Sequence, residues 1–263
     1  MVHQVQLADV SLAVEDIGSG PPVLFLHGFP LDHSMWAEQL SALAASHRVI
    51  APDLRGFGAS GVTPGKVTMV QMADDCAGLI DALGIQTPIA LVGLSMGGYV
   101  AWQFVQRHAA KLGKLVLCDT RSVADTPQAA ETRLKMAEHV LKHGTSAVAE
   151  AMLPKLFAPA TYEKRPQVVE SVRRMMLAAP PTGVAAAQHG MAARPDVSSM
   201  LPTIQVPTLV ICGEHDAISP LAEMRTIAES IPGATLVVVP DAGHMAPMEN
   251  PGVVNAALKE FLR

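Results

Sequence analysis

Short, continuously apolar runs recur along this chain and constrain its fold more than any other feature. They occupy residues 23–26, 49–51, 89–92, 115–117, 208–211 and 236–239. A strand covered on both faces reads as unbroken apolar residues, whereas a half-exposed strand alternates. The runs therefore predict strands buried inside a parallel sheet. Two further segments, 4–7 and 11–15, predict a hairpin-like, antiparallel start. Helical patterns lie between the strands. Ser34 is placed as the cap of a helix whose Trp36, Leu40, Leu43 and Ala44 share one face. Thr68 and Gln71 form a capping box; Met69, Ala73, Cys76, Ile80 and Leu83 then recur at helical spacing as far as Gly84. Asn250 before Pro251 marks a last helix, with Val254, Ala257, Leu258 and Phe261 facing inward. The expectation is an α/β fold: an eight-stranded, mostly parallel sheet with helices on both faces.

One stretch breaks this alternation. Residues 121–200 carry no buried-strand pattern, only helical patterns rich in Ala and Met and punctuated by proline. Because the stretch lies between two core strands, it is expected to be an inserted helical cap, leaving 1–120 and 201–263 as the core.

Bulk properties remove several classes of function. With 263 residues, 49% hydrophobic and 16% charged, the chain can bury a large core and is not a disordered one. A net charge of −5 without a basic run speaks against nucleic acid and anionic membranes as partners. No apolar stretch approaches the roughly 20 residues of a spanning helix. The start, Met1-Val2-His3-Gln4, has neither a basic region nor an apolar one, so no signal peptide is expected. Cys76, Cys118 and Cys212 are odd in number and widely spaced, which fits buried thiols in a reducing cytoplasm. No Cys/His cluster has metal-ligand spacing, and neither metal nor cofactor is expected. His139 and His143, four apart, are read as exposed residues.

The chemistry concentrates at Gly93-Leu94-Ser95-Met96-Gly97, between the apolar run 89–92 and a helix-like segment. A strand turning sharply into a helix projects a serine hydroxyl above the sheet, and flanking glycines let the backbone fold back. Such a serine needs a base, and the base needs an orienting acid; both follow it along the chain. His244, in the Gly- and Pro-containing loop after the last strand, is the expected base. Asp216, after the strand 208–211, is the expected acid, ahead of its neighbour Glu214 and of Asp119, which follows the strand 115–117. His215 is read as a packing or surface residue. Two backbone N–H groups must face the developing oxyanion. Met96, at the start of a helix, supplies one, and Phe29 in His27-Gly28-Phe29-Pro30 supplies the other.

These motifs, with Asp53-Leu54-Arg55-Gly56-Phe57-Gly58, Gly213-Glu214-His215-Asp216 and Gly243-His244, resemble the α/β-hydrolase superfamily over nearly the whole chain. Residues 27–36 (HGFPLDHSMW), Gly-Leu-Ser-Met-Gly-Gly and the closing AGHMAPMENP are similar to 3-oxoadipate enol-lactonase-like carboxylesterases. Cofactor-free haloperoxidases and perhydrolases are slightly less similar. The loop 53–58 is expected to be structural, with Arg55 pairing locally. Within the superfamily, haloalkane dehalogenases and epoxide hydrolases carry aspartate at the elbow and dienelactone hydrolases carry cysteine. A serine there implies acyl transfer. The expectation is a cytoplasmic serine hydrolase acting on a carboxylic ester or lactone of a small acid. Carbon–carbon bond hydrolysis of dienoic acids and perhydrolysis are the enzymatic alternatives, and a non-catalytic ligand receptor is a third reading. A carboxylate-bearing lactone would require a cation facing the pocket, for which 121–200 offers Arg121, Arg133, Arg165, Arg173, Arg174 and Arg194. The expected partner is a small molecule; a homo-oligomer is left open.

Overall fold

In the computed structural model, which describes residues 2–263, the apolar runs pair into one sheet. The strands are β1 (Val2–Gln6), β2 (Ser11–Gly18), β3 (Pro22–Leu26), β4 (Arg48–Pro52), β5 (Ile89–Leu94), β6 (Leu112–Cys118), β7 (Thr208–Gly213) and β8 (Thr235–Val239). Their spatial order is β1-β2-β4-β3-β5-β6-β7-β8. The pairs β1–β2 and β2–β4 are antiparallel and the remaining pairs parallel. The expected α/β architecture is thus the observed one.

Unbroken apolar strands are explained by two cores, one on each face. Leu24, Leu26, Leu91, Leu117 and Val210 pack under α2 (Met69–Ala82), α3 (Met96–Arg107) and α9 (Leu221–Ser230). Val23, Phe25, Val92, Val116 and Ile211 face the other way, under α1 (Ala37–Leu43) and α11 (Pro251–Leu262). Successive strand residues point to opposite faces, so each run feeds both layers. Between β6 and β7 stand α4 (Pro127–His143), α5 (Ser146–Leu156), α6 (Pro159–Lys164), α7 (Pro166–Ala178) and α8 (Pro181–Ala192). A short α10 (Ala246–Glu249) follows β8.

Two local expectations, for Ser34 and Arg55, are corrected by the structure, and the Asn250–Pro251 start of the last helix is found as expected. Asp32, not Ser34, caps the first helical segment: its side chain accepts from the Ser34 N–H of a 3-10 turn, His33–Trp36, that leads into α1. Asn250 stands at the N-cap of α11 but bonds no helix amide with its side chain, donating instead to the Pro240 carbonyl. Arg55 does not pair locally; its guanidinium spans Asp9 and Asp75. Thr68 does cap α2, accepting from the Gln71 N–H.

Strand registers bring the loops of the sheet together at one end. Leu26 pairs with Gly93, Leu94 with Cys118, Cys118 with Ile211, and Gly213 with Val239. Chain segments leaving β3, β5, β6, β7 and β8 therefore emerge along one carboxyl edge, where open parallel sheets place their ligands.

Candidate active site

Ser95 occupies the single residue between β5 and α3, with φ +53 and ψ −111. A non-glycine residue held there stores about 1–3 kcal/mol of strain, which persists only where the surroundings enforce it. Here they do. A Cβ on Gly97 would lie 2.2 Å from the Leu26 carbonyl oxygen, and one on Gly93 would lie 2.5 Å from that of Gly97. Strand and helix touch backbone to backbone. The Ser95 N–H donates to the Cys118 carbonyl at 3.0 Å, and its own carbonyl accepts from Thr120 Oγ1 at 2.8 Å. The backbone is pinned from both sides while the side chain stays half-buried amid buried neighbours.

The loop after β3 lies directly against this serine: a Cβ on Gly28 would be 3.5 Å from Ser95 Cβ. His27 shapes that loop. Its ring is fully buried, accepts the Leu54 N–H through Nε2 at 2.9 Å and bonds the Gly28 carbonyl through Nδ1 at 2.9 Å. That pattern requires a neutral ring with hydrogen on Nδ1, and burial does lower the His27 pKa. Among the described residues, neither the Phe29 nor the Met96 N–H donates to a protein acceptor. Met96 follows Ser95 directly, and Phe29 follows Gly28, the residue that faces Ser95.

His244 is buried in the loop after β8, and its Nδ1 lies 2.9 Å from Asp216 Oδ2. Asp216 Oδ1 accepts from the Ile218 and Ser219 amides at 2.7 and 2.9 Å. Burial works against the charge of Asp216, but His244 and these two amides outweigh it and hold the carboxyl below its ordinary range. An ionised Asp216 can only accept, so Nδ1 carries the hydrogen and Nε2 is left as the basic nitrogen. No hydrogen bond joins Ser95 Oγ to His244 among the described residues; such bonds are often long until substrate binds.

The competing acids form no hydrogen bond with His244. Asp119 is fully buried and accepts the Gly213 N–H at 2.7 Å instead of contacting His244. Glu214 and His215 are exposed. One acid beside His244 escaped the sequence reading. Glu249 accepts the Gly243 and Met245 amides, on either side of His244, through Oε1 at 2.8 and 3.2 Å. Its Oε2 accepts the Ala158 N–H and the Thr161 hydroxyl at 2.8 and 2.6 Å. The one available sequence signal was an acid closing the apolar stretch Ala246-Pro247-Met248.

Five of the six arginines of 121–200 have partners. Arg121 pairs with Glu223, Arg133 and Arg194 with Asp125, and Arg173 with Glu170. Arg165 binds the Met248 and Glu249 carbonyls, and Arg174 is exposed. Two sets of potential metal donors lie within 4.8 Å: Asp32, His33 and Asp53, and Asp119, Cys212 and Asp216. In the first, Asp53 already accepts from the His33 amide and ring and from the Ala59 amide. No helix among the described residues is long and apolar enough to cross a membrane.

Residues 21–251 match the family described as alpha/beta hydrolase fold. The chain belongs to that family. This α/β hydrolase is 49% identical to a thermophilic esterase from Thermogutta terrifontis solved with malate bound, with a TM-score of 0.97 over 100% of this chain and 98% of the other. It is 30% identical to the enol-lactonase from Burkholderia xenovorans LB400, with a TM-score of 0.92 over 99% of each chain. It is also 28% identical to 3-oxoadipate enol-lactonase 2 of Acinetobacter baylyi, over 97% of this chain and 94% of that one. The expected likeness to enol-lactonases is therefore present, and a hydrolytic enzyme is the common denominator.

Proposed function

We propose that this α/β hydrolase is a serine esterase that cleaves a carboxylic ester or lactone of a small acid through an acyl-enzyme. The reading is carried by the bond from His244 Nδ1 to Asp216, set on the same sheet edge as the strained Ser95. Ser95 Oγ attacks the carbonyl carbon as His244 Nε2 takes its proton, and the Phe29 and Met96 amides receive the oxyanion. Collapse expels the alkoxide, which takes the proton from His244. Water then repeats the cycle on the acyl-enzyme and frees the acid. Asp216 orients the imidazole and balances its positive charge.

Helices α4–α8 serve as the cap over this site, with Glu249 fixing α6 to the histidine loop. Because the cap arginines already have partners or face water, neutral esters and lactones suit the site better than carboxylate-bearing ones. Three buried, unpaired cysteines accord with a cytoplasmic setting.

Ser95→Ala should lower turnover of a short p-nitrophenyl ester by about 10⁴-fold or more, with an unchanged circular-dichroism spectrum. Fluorophosphonate should label the parent and not the variant. Retention of most activity by a folded Ser95→Ala protein would exclude the acyl-enzyme, and an unlabelled, inactive parent would favour a receptor. A panel of esters, lactones and dienoic acids reads the substrate class, and a clear preference for dienoic diketones would favour carbon–carbon hydrolysis.

A further inference from the structure

The acyl-enzyme reaction makes no use of Asp119, yet burying a carboxyl is costly. Asp119 follows β6 with φ +45, is fully buried, and sends Oδ1 across to the Gly213 N–H of β7. Its Oδ2 is buried without a hydrogen-bond partner. Donor atoms of Asp119, Cys212 and Asp216 all lie within 4.8 Å of one another. The Cys212 thiol points at the Gly213 and Ser219 carbonyls, and Asp119 Oδ2 has no hydrogen-bond partner. An orphaned carboxylate oxygen beside a second carboxylate would be doubly penalised, by burial and by like charge. As a neutral acid, Asp119 would have the Asp216 carboxylate, within 4.8 Å of it, as the neighbouring acceptor.

We infer that Asp119 is a positioning residue: kept as the neutral acid, it donates its Oδ2 hydrogen to the Asp216 carboxylate, and the two share one negative charge. The inference rests on the reading of Asp216 as the acid behind His244. The proton belongs on Asp119 because Asp216 already receives three hydrogens, from His244, Ile218 and Ser219, against one for Asp119. The other titratable groups facing the pair are Cys118 on β6, Cys212 on β7 and Glu249 on α10, none of them a cation, and His244 beyond Asp216. Burial, followed by the charge of Asp216, drives the Asp119 carboxyl well above its ordinary range. By withdrawing charge from Asp216, the neutral acid moderates the pull on the imidazolium and so sets the acidic limb of the rate profile.

Two variants and one spectrum test this. Asp119→Ala should lower kcat/KM about tenfold, the scale of one lost buried hydrogen bond, and move the acidic limb of its pH profile upward. Asp119→Asn, whose amide can accept from Gly213 and donate to Asp216, should restore both. Infrared difference spectra at neutral pH should show a protonated carboxylic-acid stretch in the parent that Asp119→Asn removes. A limb that stays put in Asp119→Ala, or an Asp119→Asn protein as impaired as Asp119→Ala, overturns the inference. So does the absence of that stretch. Should Asp119→Ala fail to fold, the parent and Asp119→Asn spectra decide alone. Because the spectrum needs no turnover, it locates the proton even if the serine reading fails.

Discussion

Ser95 and His244 both stand at the carboxyl edge of the sheet, but they are held there by opposite means. Ser95 is set by the backbone: a strained φ, two neighbouring glycines and backbone contacts to β3 and β6. His244 sits in a loop that side chains from elsewhere must hold. Asp216 grips its ring, and Glu249 grips the amides flanking it while reaching Ala158 and Thr161 of the inserted segment. The Met245 N–H also donates to the Leu156 carbonyl at 3.2 Å. A serine fixed by backbone tolerates no adjustment, whereas a histidine fixed by side chains loses its position in graded steps.

That contrast can be broken by mutation. Gly97→Ala should have the largest effect, costing about 3 kcal/mol or more, because the new methyl meets the Leu26 carbonyl rather than a movable side chain. Urea unfolding measures it, and a stable, active Gly97→Ala enzyme would show the elbow to be adjustable after all. Glu249→Ala should come next. It strands three donors, since Met245 keeps the Leu156 carbonyl, and should lower kcat by roughly 10–100-fold while leaving the elbow intact, as fluorophosphonate labelling coupled to steady-state rates would show. If kcat is unchanged, the histidine loop holds itself. Thr120→Val should cost about 1 kcal/mol through the lost bond to the Ser95 carbonyl, with kcat falling less than tenfold. Melting temperatures across a range of salt-matched buffers would reveal it.

The smallest effect is one of pH. The folded-state pKa of Asp119 is raised above its ordinary 3.8, so the folded chain keeps a proton that the unfolded chain gives up. Its contribution is fully present below about pH 4 and is lost as pH rises toward the raised value. Asp119→Asn lacks that loss. Its melting temperature should therefore gain on the parent's between pH 4 and 7, and parallel curves would argue against a proton on Asp119.

The sheet was readable because each run, such as Val23-Leu24-Phe25-Leu26, must satisfy two cores at once, and few other arrangements require that. The elbow was readable because Gly93 and Gly97 are spaced for a close approach that only glycine permits. What stayed hidden depends on distant partners. Arg55 finds Asp9 and Asp75, 46 and 20 positions away, and local spacing does not suggest either. Glu249 looks like a lone acid on a short helix until α6 is packed beside it. Asp119 was recognisable as an acid at a strand end, but its closeness to Asp216 depends on the β6–β7 register. Even Asp32 and Ser34, two good capping residues side by side, are told apart only by the turn that the backbone actually takes.

The reach of Glu249 also limits how such proteins can exchange parts. Helices α4–α8 leave and re-enter the sheet between neighbouring strands, β6 and β7, which looks like an ideal junction for grafting another segment. A graft lacking an amide and a hydroxyl where Ala158 and Thr161 now stand would leave two lone pairs of Glu249 dry and charged. The carboxylate would then seek water, drawing Gly243 and Met245 with it. Chimaeras of this chain should therefore keep residues 156–161 with the host sheet and place their seams inside the helical insert rather than at its ends.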